Sequence, residues 1–427
     1  MKKISCVVSC PIDTYSGYGG RSRDFVKALM QVRPDWDVKI LSQRWGNTRH
    51  GFLQDHNDNI FTPLVISKLT SKPDVWIQIT VPNEFVKIGT FNIGVTAGVE
   101  TTLADATWIQ GGNNADLILV SSNFSKQALE NPTYEMLDNT TKQSKGYLKL
   151  ETPMEVLFEG INTQVYKKIS DEENTLDLSE IKEDFCFLTV GHWIQGSFGH
   201  DRKNLGYTVK SFLETFKNKE RQPALIMKVS HANSSIIDRD KILDKINDIR
   251  KTVKGTLPNI YILHGDLSDN QINDLYNNPK VKCMISLTKG EGYGRPLAEF
   301  SVTGKPIIAS NWSGHLDFLS KDYITLINGT LENVHESAAV DKMILKEAQW
   351  FRPDDGHVGT SLRSIYKEYR NYLGRSSKQA EYVLGNFTFE HMADRLNNIL
   401  EERLPKFPEQ VELKLPQLSL PKLKKIE

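Results

Sequence analysis

The sequence predicts an α/β protein of two doubly wound domains that face each other across a cleft. Three observations predict it. Short apolar strands alternate with amphipathic helices along the chain, the signature of parallel sheets covered on both faces. The alternation comes as two series, separated by a polar stretch at residues 170–184. Glycines stand just beyond strand ends in both series, where ligands sit in such sheets.

The first series, residues 1–170, opens with the strand ISCVVSC and the glycine stretch Ser16–Ser22. The helix SRDFVKALMQV follows, with Phe25, Val26, Leu29 and Met30 at helical spacing, then the strand DVKIL. Further strands are DVWIQIT, FNIGVTA and DLILVSS, the last leading into the helix FSKQALEN with Ser122 or Asn123 as its cap. The second series, residues 184–387, has the strands FCFLTVG, ALIMKVS, NIYILHG, CMISLT and PIIAS. Between them lie the helices NLGYTVKSFLETF, DNQINDLYNN (capped by Asp269) and PLAEFSVTG. A last helix, within 388–405, is expected to return to the first domain, and 406–427 reads as a Pro-, Leu- and Lys-rich tail.

Bulk properties narrow the function. Among 427 residues the hydrophobic share is 39% and the charged share 25%, ordinary for a folded chain long enough for more than one core. The formal net charge is zero, so no global field favours DNA or an anionic membrane. Cys6, Cys10, Cys186 and Cys283 lack the spacing of a zinc site or disulfide framework. The apolar run in MKKISCVVSC is short for a signal peptide, and no stretch approaches the roughly 20 apolar residues of a membrane span. A cytoplasmic location is expected.

The strongest motif is SLTKGEGYGRPLAEFSVTGKPIIAS, residues 286–310. It reads as a strand, a tight turn through Gly292-Tyr293-Gly294-Arg295-Pro296, and a helix, with proline in the first turn where its missing N–H is harmless. The turn and helix start offer N–H groups to an anion. Glu291, in the turn, can reach sugar hydroxyls, and Glu299, one helical turn in, can accept two hydroxyl hydrogen bonds, as from a ribose. This stretch resembles the paired-glutamate signature of retaining GT-B glycosyltransferases, most closely glycosyltransferase family four. The resemblance implies two Rossmann-like domains, a donor sugar held by Glu291 and a nucleotide ribose held by Glu299. The nucleotide-sugar is then a substrate, and no metal or other cofactor is implied.

A second motif is Thr189-Val190-Gly191-His192, followed by Asp201-Arg202-Lys203-Asn204. Two adjacent cations at a helix start oppose its dipole and make sense facing an anion. Lys203 matches the lysine that neutralises the donor diphosphate in the resembled family. His192 stands where that family has an arginine, so Arg202 or Arg295 is left to supply the second charge. The loop Leu263–Asp269, with His264 and Gly265, matches the one that packs around the nucleotide base. The glycine stretch with Gly19 and Gly20 is similar to a loop facing the donor phosphate, and also reads as a plain tight turn.

The first series also holds Ala97–Thr102 and Trp108. Glu100 is the nearest group there able to receive an acceptor proton, and equally a loop glutamate. Trp108 fits a core position better than a sugar platform. The acceptor is open between a glycan, a lipid-linked sugar, a protein and a modified nucleic-acid base, and the oligomeric state is not legible. Three other readings compete: a nucleotide-sugar epimerase on the same plan, a non-catalytic sugar-binding protein, and a dinucleotide oxidoreductase using Tyr15 to Arg21, against which the absence of an acidic partner after the second strand counts.

Overall fold

The computed structural model describes residues 3–407 except 47, 195, 197 and 232–234; the tail beyond 407 lies outside the described residues. The first domain contains β1 (Ser5–Cys10), α1 (Gly17–Val32), β2 (Asp37–Ser42), α2 (Phe52–Asp55), β3 (Val65–Ile66), β4 (Val75–Ile79), β5 (Phe91–Thr96), α3 (Ala106–Gly112), β6 (Leu117–Val120) and α4 (Asn123–Glu130). A hairpin, β7 (Tyr134–Leu137) and β8 (Ser144–Leu148), precedes β9 (Met154–Val156). The main sheet is parallel, in the order β3-β2-β1-β4-β5-β6-β9.

The second domain contains β10 (Cys186–His192), α5 (Leu205–Phe216), β11 (Ala224–Ser230), α6 (Ile236–Lys251), β12 (Ile260–Leu263), α7 (Asp269–Asn277), β13 (Val281–Ser286), α8 (Arg295–Ser301), β14 (Ile307–Ser310) and β15 (Thr325–Ile327). A hairpin, β16 (Gly329–Asn333) with β17 (Gln349–Pro353), and the helices α9 (Asp355–Asn386) and α10 (Phe389–Arg403) complete the chain. Its sheet is also parallel, in the order β12-β11-β10-β13-β14-β15.

Both faces of the second sheet are covered, which is why its strands are continuously apolar. Leu188, Ile226 and Met284 pack on one side with Leu275 of α7 and Phe300 of α8. Phe187, Met227 and Ile285 pack on the other with Phe212 of α5 and Ile242 of α6. In the first domain α1 buries Phe25, Val26 and Leu29 beside Met392, Leu396 and Leu400 of α10.

The chain passes between domains twice at one place. The Ile161 N–H donates to Phe387 O (2.8 Å), and the Phe389 N–H donates to Ile161 O (2.8 Å). The polar stretch 170–184 is not a free connector. Ile161, Tyr166, Leu178 and Ile181 bury in the second core, and Thr175 Oγ1 donates to Asp274 Oδ2 (2.5 Å) of α7.

Two local readings change. Ser16 caps α1 by accepting from the Gly19 N–H, so the glycine stretch forms the first helical turn rather than a loop. Ser268, not Asp269, caps α7: its Oγ accepts from the Gln271 N–H, and its own N–H donates to Gln271 Oε1. For α4 the cap is Ser122.

Candidate active site

The strand order reverses at β10, which has β11 on one side and β13 on the other. Loops leaving β10 and β13 meet at the carboxyl ends of the strands at this reversal, the place where ligands bind in open α/β sheets. Two hydrogen bonds tie the loops together: Lys289 N–H to Arg202 O (2.8 Å) and Asn204 Nδ2 to Leu287 O (3.0 Å). Gly294, in the left-handed region at φ 104°, turns the chain into α8.

This convergence brings four of the expected residues into contact. Lys203 Nζ lies 2.6 Å from Glu291 Oε1. Arg202 Nη1 lies 3.0 Å from Glu100 Oε1 and 3.4 Å from Glu291 Oε2, so one guanidinium joins carboxylates of both domains. The Glu291 backbone is fixed as well: its N–H donates to Ser313 Oγ (3.0 Å), and its carbonyl accepts from the Gly314 N–H (2.9 Å). Burial alone would raise the Glu291 pKa, but Lys203 and Arg202 outweigh it and lower it to about 2. Glu100 is shifted the other way: burial raises it, and Arg202 only partly opposes the shift.

The first domain presses directly on this turn. A Cβ added at Gly290 would stand 1.9 Å from Glu100 O, a contact only glycine permits. The Gly292 carbonyl accepts from Ser122 Oγ (2.6 Å), at the end of β6. Asn123 N–H donates to Asp317 Oδ2 (2.8 Å), and Thr102 N–H to Gln349 O (2.9 Å).

Glu299 and Arg295 belong to a second group. Arg295 Nε lies 3.3 Å from Glu299 Oε1 and 3.9 Å from Glu159 Oε2, and its Nη1 lies 2.9 Å from Asp24 Oδ2 of α1. Arg295 is thus held by three carboxylates at the domain boundary, so Arg202 is the cation beside Lys203. Burial raises Glu299 to about 7, against the pull of Arg295. Gly20 borders this group, with Arg295 Nη1 3.0 Å from where its Cβ would be, while Gly19 packs on Thr14.

At the ends of β10, β11 and β12, burial and the charge of Lys203 lower His192 to about 4, and its Nδ1 sits 2.8 Å from Ser230 Oγ. His264 Nε2 lies 2.9 Å from Ser235 O, and Lys228 Nζ donates to Gly265 O (2.7 Å). Two side chains point elsewhere. Tyr293 is buried in the second core against Phe318, and Trp108 is buried in the first.

Sequence reasoning missed Asp24, Glu159 and Lys228. Lys228 had a local signal, a lone charge inside the apolar strand ALIMKVS; the others meet the site only through tertiary packing. Among the described residues, no cluster of three or more His, Cys, Asp and Glu side chains is placed to hold a metal ion. No helix among them is long and apolar enough to cross a membrane.

No protein-family model matches the chain, and no curated protein matches it by sequence. Solved structures do match its fold. A glycosyltransferase from Rickettsia africae is 13% identical with a TM-score of 0.63, over 94% of this chain and 99% of that one. Anabaena Alr3699/HepE in complex with UDP-glucose is 12% identical with a TM-score of 0.61, over 93% and 99%. A sucrose-phosphate synthase from Thermosynechococcus elongatus is 11% identical with a TM-score of 0.60, over 94% and 99%. At such identities the likeness establishes the fold: two Rossmann-like domains in the GT-B arrangement.

Proposed function

We propose that this protein is a glycosyltransferase that moves a sugar from a nucleotide-sugar to an acceptor hydroxyl, with retention and without a metal. The observation that carries the reading is the convergence of Lys203 and Arg202 on Glu291 at the switch point between β10 and β13. Preorganised cations in a water-poor site stabilise the charge that develops on a leaving diphosphate. The fold neighbours support it, since one was solved with UDP-glucose bound.

In this reading Lys203 and Arg202 turn from the carboxylates toward the donor diphosphate, with His192 alongside. Glu291, released, holds the sugar hydroxyls. Glu299 binds the ribose, and the loop with His264 and Gly265 packs around the base. The bond from the anomeric carbon to the phosphate oxygen breaks as the acceptor oxygen attacks. Glu100, whose raised pKa suits a base, receives the acceptor proton.

Incubation with a panel of nucleotide-sugars and a host extract tests the reading. Release of free nucleotide with a heavier acceptor, seen by mass spectrometry, supports transfer. An altered sugar still attached to its nucleotide would indicate epimerisation, and no turnover a binding protein.

A further inference from the structure

A second cavity, of about 560 Å³, adjoins the segments that build the site, yet Arg202, Lys203 and Glu291 do not line it. Its walls come from α5, the start of α9 and the β16–β17 hairpin. Two of its residues, Asn204 and Lys289, are the chain neighbours of Lys203 and Gly290.

Lys289 is 2% exposed, with its Nζ 2.5 Å from Glu332 Oε1 and 5.2 Å from the centre of the Trp350 ring. Asn204 is 1% exposed; its amide donates to Leu287 O, but its Oδ1 accepts no hydrogen bond among the described residues. A buried acceptor without a donor is rare in folded proteins and marks a place where a ligand or water hydroxyl fits. Also in the lining, Tyr207 donates to Asp355 Oδ1 (2.5 Å), while Arg352 makes no ion pair among the described residues.

The charges of the lining cancel. Lys210, Lys289 and Arg352 face Glu214, Glu332 and Asp355. A phosphate or nucleotide would meet as many anions as cations, and an apolar ligand would leave Asn204 Oδ1 without a donor and the Arg352 guanidinium without a counter-charge. A neutral molecule rich in hydroxyls satisfies donors and acceptors of both kinds, and two aromatic residues, Phe198 and Tyr207, are among the lining. The volume lies within the roughly 300–1,000 Å³ of small-molecule sites, room for a short oligosaccharide.

We propose that this cavity is a second, non-catalytic site that binds a neutral oligosaccharide. The claim does not depend on the transfer reading, because binding alone tests it. Saturation-transfer NMR would be run with maltotriose, cellotriose and N-acetylchitotriose, each at roughly 10 mM, well above a millimolar dissociation constant. The same titrations would be repeated with Ser211→Phe, which fills the cavity from α5, and with Arg352→Ala in its lining. Circular dichroism would verify that both variants fold. At least one trisaccharide should bind the wild type, bind both variants at least tenfold more weakly, and persist when UDP or inorganic phosphate is added. Binding by none of the three, equal binding to both folded variants, or displacement by UDP or phosphate would overturn the proposal. A protein that releases no nucleotide from any donor would leave this test intact.

Discussion

The Lys203 ammonium and the Glu291 carboxylate stand 2.6 Å apart at the point where the second sheet reverses its strand order. Each comes from a different βα loop, and Arg202 links their pair to Glu100 of the facing domain. The pair is a stability element as well as a candidate donor site, and the two roles can be tested separately.

Glu291 should contribute acid-sensitive stability. Its folded pKa, about 2, lies below the ordinary 4.5, so the unfolded chain takes up its proton first as pH falls. The contribution is complete above pH 4.5 and is lost as pH falls toward 2. Linkage puts the change at about 3 kcal/mol. Denaturant unfolding of wild type and Glu291→Gln between pH 6 and 3 should show the wild type losing ground to the variant. Parallel curves would mean that the carboxylate is not held by these cations.

Glu299 should behave in the opposite sense. Its folded pKa, about 7, lies above 4.5, so its burial weakens the fold as pH rises from 4.5 through 7. Relative to Glu299→Gln, the wild type should lose on the order of 3 kcal/mol over that window. Melting temperatures of the two proteins at pH 5 and pH 8 check this. A difference that does not change with pH would place Glu299 in an ordinary ion pair with Arg295.

Kinetics should separate the same two residues. Glu299 is assigned to the ribose, bound alike in substrate and transition state, so Glu299→Gln should mainly raise the Michaelis constant. Glu291 is assigned to the sugar, where charge develops, so Glu291→Gln should mainly lower turnover. Initial rates across donor concentrations report both parameters. Variants within about threefold of wild type would remove both residues from the donor site.

Gly290→Ala should pry the domains apart. The new Cβ would fall 1.9 Å from the Glu100 carbonyl oxygen, which belongs to backbone and cannot rotate away. The expected effects are a wider cleft in small-angle scattering and a stability loss of roughly 1–3 kcal/mol, typical of overpacking. Unchanged scattering and stability would show that the loop of Glu100 yields locally.

What the sequence made legible was local. The turn from Glu291 to Pro296 and the pair Arg202-Lys203 carry their chemistry within a few residues, and both lie where the second sheet reverses its strand order. The surroundings of Arg295 are not legible locally, because its partners Asp24 and Glu159 are far away in sequence and meet it only when the domains dock. The stretch 170–184 reads only as a polar break because its buried anchors Leu178 and Ile181 follow neither helical nor strand periodicity. The β16–β17 hairpin is short and half exposed, so it lacked a strand signal, yet Gln349 at its end touches Thr102 across the cleft. The glycine stretch near residue 17 read as a loop because helix propensity counts against glycine, while the Ser16 cap and packing on Thr14 keep it helical.

If Lys203 and Arg202 rather than a metal carry the donor diphosphate through transfer, activity should depend on these side chains and not on a divalent cation. The most direct measurement is nucleotide release from the preferred nucleotide-sugar, with and without chelator, for wild type and Lys203→Ala. Chelator should leave the wild-type rate nearly unchanged, and Lys203→Ala should lower kcat/KM by about 2–4 kcal/mol in transition-state terms, roughly 30- to 1,000-fold. Activity abolished by chelator and restored by magnesium, or a folded Lys203→Ala variant with wild-type activity, would contradict this reading.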